Sequence, residues 1–122
     1  MYAIRYFAAL VALSMVTAAA AKPLPQRNAQ GLLVDSAGHT LYTYDPDGTT
    51  GKSQCNGPCA ALWPPYVGDA AARPNGDFSL TTRVDGEHQW VYRTRPLYLY
   101  AGDSKPGDKG GDGVNGIWHV VH

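Results

Sequence analysis

Charge is scarce in this chain. Asp, Glu, Lys and Arg make up 16% of the 122 residues, ten acidic against ten basic. No basic stripe and no acidic run occurs, which argues against nucleic acid or an anionic membrane surface as a partner. Long helical periods are missing too: beyond the N-terminal stretch nothing sustains an apolar repeat near 3.6 residues. Reaction signatures are equally absent. There is no G-x-S-x-G, no H-E-x-x-H and no P-loop, and neither of the two cysteines stands beside a plausible base. Asp45-Pro46-Asp47-Gly48, with Asp108 and Asp112 further on, opens like a calcium loop, but the later ligands and closing glutamate of an EF-hand do not follow.

The N-terminus carries an address. Met1 to Tyr6 includes the positive charge of Arg5, and the apolar run from Phe7 to Ala21 is broken only by Ser14 and Thr17. It ends in four alanines, Ala18 to Ala21, before Lys22-Pro23-Leu24-Pro25. This is the pattern of a secretory signal peptide over residues 1–21, with cleavage expected after Ala21. Fifteen alanine-rich residues are short for a bilayer span, which needs about twenty. No cysteine stands at the cleavage site to take a lipid anchor. The expectation is an exported, soluble product, periplasmic or secreted, with no transmembrane segment after cleavage. About a hundred mature residues suffice for one domain with one modest core.

What the chain has in abundance is a repeated stretch. Leu41-Tyr42-Thr43-Tyr44-Asp45-Pro46-Asp47 returns as Leu97-Tyr98-Leu99-Tyr100-Ala101-Gly102-Asp103, both reading Leu-Tyr-x-Tyr-x-x-Asp. Each copy is followed by a tryptophan, Trp63 sixteen residues after Asp47 and Trp118 fifteen after Asp103. The mature chain therefore reads as one unit written twice in a single domain over 31–122, repeat 1 at about 31–66 and repeat 2 at about 78–122.

Along the chain, residues 22–30 lack periodicity and read as a flexible lead-in. Leu32-Leu33-Val34, turn chemistry at 35–39 and Thr40 to Tyr44 predict a hairpin. Cys59 to Leu62 has room for one helical turn before Pro64 and Pro65 stop it. Phe78 to Val84, the Asp85-Gly86 turn and Gln89 to Arg93 predict a second hairpin. A glycine-dense loop over 102–116 then leads to a last strand, Ile117 to Val121. The fold class is all-β: a small β-rich domain of two related hairpin-containing repeats with Gly/Pro-rich loops and at most one or two short helical turns.

Cys55 and Cys59 have two readings. In an oxidising compartment they form a local disulfide across Asn56-Gly57-Pro58. Alternatively the two thiolates bind copper with a histidine such as His119, since soft sulfur suits Cu(I). Tyr42 and Tyr44, and likewise Tyr98 and Tyr100, are two apart, so each pair shares one face of its strand. They serve either as core packing or as an aromatic cleft for a flat or sugar-like ligand. Asp47 and Asp103, just past the strands, close turns or, if brought together, form an acid–base pair.

These residues resemble the bacterial secreted-repeat proteins of unknown function, described as predicted lipoproteins with a Y-x-[FWY]-x-x-D motif. Tyr42 to Asp47 and Tyr98 to Asp103 fit that motif, and Ser53-Gln54-Cys55 through Cys59-Ala60 with Trp63-Pro64-Pro65 is similar to the family's cysteine segment. Gln89-Trp90, Pro96-Leu97-Tyr98, Pro106-Gly107-Asp108 and Trp118 to Val121 match its second half. The resemblance implies an exported, duplicated domain with no established activity. Many relatives are lipid-anchored, whereas this chain has no cysteine at its expected cleavage site. The expected role is a non-enzymatic binding or structural module of the cell envelope with an unidentified partner or small ligand; copper handling is the alternative, and calcium is a weaker one.

Overall fold

The computed structural model describes residues 23–122, together with Ala3 and Ala12. Apart from those two alanines, the signal peptide expected at 1–21 lies outside the described residues. The protein is built from short strands and very little helix. In chain order these are β1 (Gln26–Arg27), β2 (Leu33–Val34), β3 (Tyr42–Tyr44), α1 (Pro58–Leu62), β4 (Phe78–Thr82), β5 (His88–Tyr92), β6 (Arg95–Pro96) and β7 (Trp118–Val120). Single 3-10 turns lie at Asp45–Asp47 and Val114–Gly116. Among the described residues no helix is long and apolar enough to cross a membrane.

The second predicted hairpin forms, with strands that end at Thr82 and Tyr92 rather than Val84 and Arg93. β4 and β5 pair antiparallel from Phe78 opposite Tyr92 to Thr82 opposite His88. β6 then folds back onto β5 through Arg93 and Thr94, both at positive φ (46° and 75°). A two-residue reversal that matches strand twist needs positive φ at both central positions, here met without glycine.

The first hairpin is shorter than its sequence suggests. Asp35 closes the turn by accepting the backbone N–H groups of Ala37 and His39, and Val34 bridges Thr40. The chain then leaves β2. The ladder partner of β3 is β7, with Tyr42 opposite Val120 and Tyr44 opposite Trp118. β2 pairs instead with β1, Gln26 opposite Val34. Gln26 and Arg27 fall in the stretch read as a flexible lead-in; their backbone is tied into this small ladder, and Arg27 also donates to the Gly31 carbonyl and the Tyr92 hydroxyl.

Between these ladders the two repeats meet directly. Tyr42 and Tyr98 exchange both backbone hydrogen bonds, N–H to carbonyl at 2.8 and 2.9 Å. Successive side chains of an extended strand point to opposite faces, and here the alternation sorts the core in two. Leu32, Tyr42, Tyr98 and Val120 enter one cluster with Cys55, Trp63 and Trp118. Their neighbours Leu33, Leu41, Leu97 and Val121 enter another with Tyr66, Ala72 and Trp90. Both clusters draw on both repeats, so neither repeat has a core of its own.

α1 is one turn and a half. Gly57 begins it at φ 57°, Pro58 sits in its first turn where no N–H is needed, and the Trp63 N–H closes it onto the Cys59 carbonyl. Pro64 prevents its continuation. The turn delivers Trp63 into the aromatic cluster.

Candidate functional site

The repeated motif assembles at the junction of the repeats, and its members are exchanged. The Tyr42 hydroxyl of the first repeat donates to Asp103 Oδ2 of the second. The Tyr98 hydroxyl of the second donates to Asp47 Oδ2 of the first, at 2.7 Å. Each aspartate also anchors the loop beyond it with its other oxygen. Asp47 Oδ1 accepts the Gln54 N–H at 2.7 Å, and Asp103 Oδ1 accepts the Gly110 N–H at 2.9 Å, in both cases seven residues on. The expectation that these aspartates bond backbone is met by a whole loop rather than the adjacent turn. Each carboxylate has its own phenol, so Asp47 and Asp103 are not assembled as one acid–base pair.

The four remaining rings complete the exchange. Trp63 and Trp118 lie face to face, with centroids 3.8 Å apart and planes 3° from parallel. Tyr44 stacks on the outer face of Trp118 at 4.2 Å, and Tyr100 on Trp63 at 4.4 Å. The result is a column, Tyr44–Trp118–Trp63–Tyr100, in which the repeats alternate. Tyr42 meets Trp63 edge-on at 5.4 Å and Tyr98 meets Trp118 edge-on at 5.2 Å. Stacked and edge-to-face contacts are both favoured by the ring quadrupoles, each adding about 0.5–1.5 kcal/mol beyond area burial. The tyrosines thus face one another and the tryptophans, which is the packing reading of the sequence. Tyr100 and Asp103 also line an open pocket with His39, Thr40, Pro64 and Leu99.

The pairs are alike in connection and unlike in surroundings. Tyr98 has one proton, committed to Asp47, so its oxygen accepts from Ser53 Oγ at 2.6 Å. Ser53 in turn accepts from Arg83 Nη1 at 2.8 Å. A buried guanidinium is therefore joined to a buried carboxylate through two hydroxyls. Arg83 also donates to Gln89 Oε1 at 2.7 Å and to the Cys55 carbonyl at 2.8 Å, while Gln89 Nε2 donates to the Leu97 carbonyl. At the other pair, the Tyr42 oxygen accepts the Gly111 N–H, at 3.3 Å. Burial lifts the Asp47 carboxyl above its ordinary value of 3.8, while Tyr98, the Gln54 N–H, Arg83 and Arg95 pull the other way. Both phenols are pushed upward, Tyr98 by burial and then the neighbouring Asp47, Tyr42 by burial and then its bond to Asp103.

Arg83, Ser53 and Gln89 escape a reading of the sequence. Arg83 stands next to the Asp85-Gly86 turn, where a basic residue normally projects into water. It is 6% exposed, while its apolar neighbour Val84 is 87% exposed. Only the return of β4 across the first repeat's loop shows why.

The two cysteines are joined as a disulfide, with Cα atoms 5.3 Å apart. Bridged sulfurs offer no thiolate pair for copper. His119 is turned to Asp45 at 2.9 Å, an exposed contact. Among the described residues no group of three or more His, Cys, Asp and Glu side chains gathers as a metal site. The carboxylates of the supposed calcium loop disperse as well: Asp45 to His119, Asp47 to Tyr98, Asp108 to the Ser104 and Lys105 N–H groups, Asp112 to the Val120 N–H.

A family model described as a secreted repeat of unknown function matches residues 27–66 and 79–122, one match to each repeat. No curated protein and no solved structure matches the chain.

Proposed function

This chain belongs to the secreted-repeat family, and from that premise we propose that it is a non-catalytic structural module of the exported cell envelope, soluble in the periplasm or outside the cell. The observation that carries this reading is the exchange of motif side chains. Tyr42 is bound to Asp103 and Tyr98 to Asp47, and four rings stack in a column that these two tyrosines meet edge-on. A catalytic or ligand-binding motif holds groups in reserve for its substrate; these groups are engaged with each other. The motif residues are the clasp of a duplicated domain.

The Cys55–Cys59 disulfide fits the same compartment, since such bridges persist in oxidising surroundings. Native mass spectrometry of the protein purified from the exported fraction, without reductant or chelator, tests the reading. The expected mass lacks residues 1–21 and two thiol hydrogens and carries no metal. A bound copper ion on reduced cysteines sinks the proposal.

A further inference from the structure

We propose that the column Tyr44–Trp118–Trp63–Tyr100, flanked by Tyr42 and Tyr98, is a path for one-electron oxidation through the protein, with Asp47 and Asp103 as its internal proton acceptors. This goes beyond the structural role, since a clasp does not require the rings to follow one another in unbroken succession. Tyrosine and tryptophan are the side chains here that can give up one electron, because both cysteines are already bridged. Their rings are in unbroken succession: 4.2 Å from Tyr44 to Trp118, 3.8 Å to Trp63 and 4.4 Å to Tyr100. The middle of the column is sealed, Trp63 and Trp118 being 3% and 2% exposed, while Tyr44 and Tyr100 at its ends are only partly buried. An outer-sphere oxidant therefore has access at the ends and not at the centre.

The flanking phenols give the hole a place to rest. An oxidised phenol is a strong acid and needs a base already in hydrogen-bond contact. Tyr42 has Asp103 and Tyr98 has Asp47. A one-electron oxidant, a high-potential metal complex or a peroxide-derived radical, takes one electron from the column and is reduced by one. The hole passes from Trp118 to Tyr98, or from Trp63 to Tyr42. The phenolic O–H bond breaks and its proton forms a bond to the carboxylate oxygen, leaving a neutral tyrosyl radical and a carboxylic acid. An external reductant of the ascorbate or quinol class returns the electron, and the carboxylic acid returns the proton. Burial of Asp47, which favours its protonated form, assists this transfer at Tyr98.

The test is flash oxidation of the intact protein by photogenerated tris(bipyridine)ruthenium(III), read by transient absorption and electron paramagnetic resonance. A tyrosyl radical is expected to form at a rate that stays flat from neutral to mildly alkaline pH, because the base is internal. The double variant Tyr42→Phe, Tyr98→Phe should lose most of the tyrosyl yield and leave a tryptophan radical, whereas Tyr92→Phe, outside the column, should leave the yield unchanged. A rate that climbs with pH in the unsubstituted protein, as for a phenol releasing its proton to water, overturns the proposal. So does a yield that depends on Tyr92 and not on the pair. The pH measurement needs no substitution, so it decides the matter even if the double variant does not fold.

Discussion

Tyr98 and Tyr42 hold the same place in their repeats and do not hold the same share of the stability. Removing the Tyr98 hydroxyl strips a buried carboxylate of its phenol and leaves Ser53 without an acceptor. Leaving a buried polar group unpaired costs about 1–3 kcal/mol, more if it is charged. Asp103 is partly open to water, which can replace the Tyr42 hydroxyl, so the loss there is expected at about 0.5–1.5 kcal/mol. Urea unfolding of Tyr98→Phe and Tyr42→Phe side by side checks the order. Equal losses would mean that the Arg83–Ser53 chain adds nothing.

Asp47 also makes a prediction about pH. Its folded carboxyl titrates above 3.8, chiefly because it is buried. Between 3.8 and that higher value the folded protein binds more protons than the unfolded chain, so stability falls as pH rises through the window. Asp108 has the opposite sign. Its carboxyl is held below 3.8 by the backbone N–H groups of Lys105 and Ser104, so its contribution is present above 3.8 and lost as pH falls through the lower value. Melting temperatures measured across the acid range should therefore show Asp47→Asn flattening the slope above 3.8 and Asp108→Asn the slope below it.

At the scale of elements, two loops hold the tryptophans. The glycine-dense loop over 102–116 lies on Trp63, and a Cβ at Gly111 would come within 2.6 Å of the indole Cη2 and 3.0 Å of the Tyr42 ring. The loop also carries the N–H that meets Tyr42. Gly111→Ala is expected to destabilise by about 1–3 kcal/mol through overpacking, with a change in near-ultraviolet circular dichroism as the indoles are pushed apart. An unchanged spectrum would show that the loop gives way instead.

The second loop is the Cys55–Cys59 segment. The disulfide closes a ring of very few residues, so by chain entropy it contributes about 2 kcal/mol. Cys55→Ala with Cys59→Ala should lower the denaturant midpoint accordingly while the tryptophan stack persists, since Pro58 and Pro64 still bound α1. Loss of the native fluorescence in folded protein would give the bridge a larger part in seating Trp63. The sequence reading of this element, one helical turn ended by proline after a cysteine bridge, is close to the structure because every signal in it is local. The pairing of β3 with β7 is not local, and the short turn at 35–39 gave no sign of it.

At the scale of the whole molecule, the two repeats share both core clusters among the described residues. Each cluster contains residues of both repeats, and the first tyrosine of each motif copy is bound to the other repeat's aspartate. Neither half can bury its apolar surface alone, a condition under which unfolding is expected in one step. Trp63 and Trp118 report on one cluster and Trp90 on the other. Fluorescence of Trp90→Phe, which sees the first cluster, and far-ultraviolet circular dichroism of the unsubstituted protein should each give one transition of similar slope. Two separated transitions would mean that the repeats fold independently.

The sequence by itself determined the duplication, the strand-rich class, the cysteine pair and which face each tyrosine shares. All of these follow from spacing along a chain whose side-chain period in a strand is two. It also placed Asp47 and Asp103 at matching positions. Tertiary structure decided to whom they belong. Both Leu-Tyr-x-Tyr-x-x-Asp copies carry the same groups, so a hydrogen bond within a copy and one between copies read identically along the chain. The antiparallel exchange between Tyr42 and Tyr98 turns each phenol toward the other repeat's aspartate, and the same crossing buries Arg83 beneath a loop thirty residues away from it in sequence.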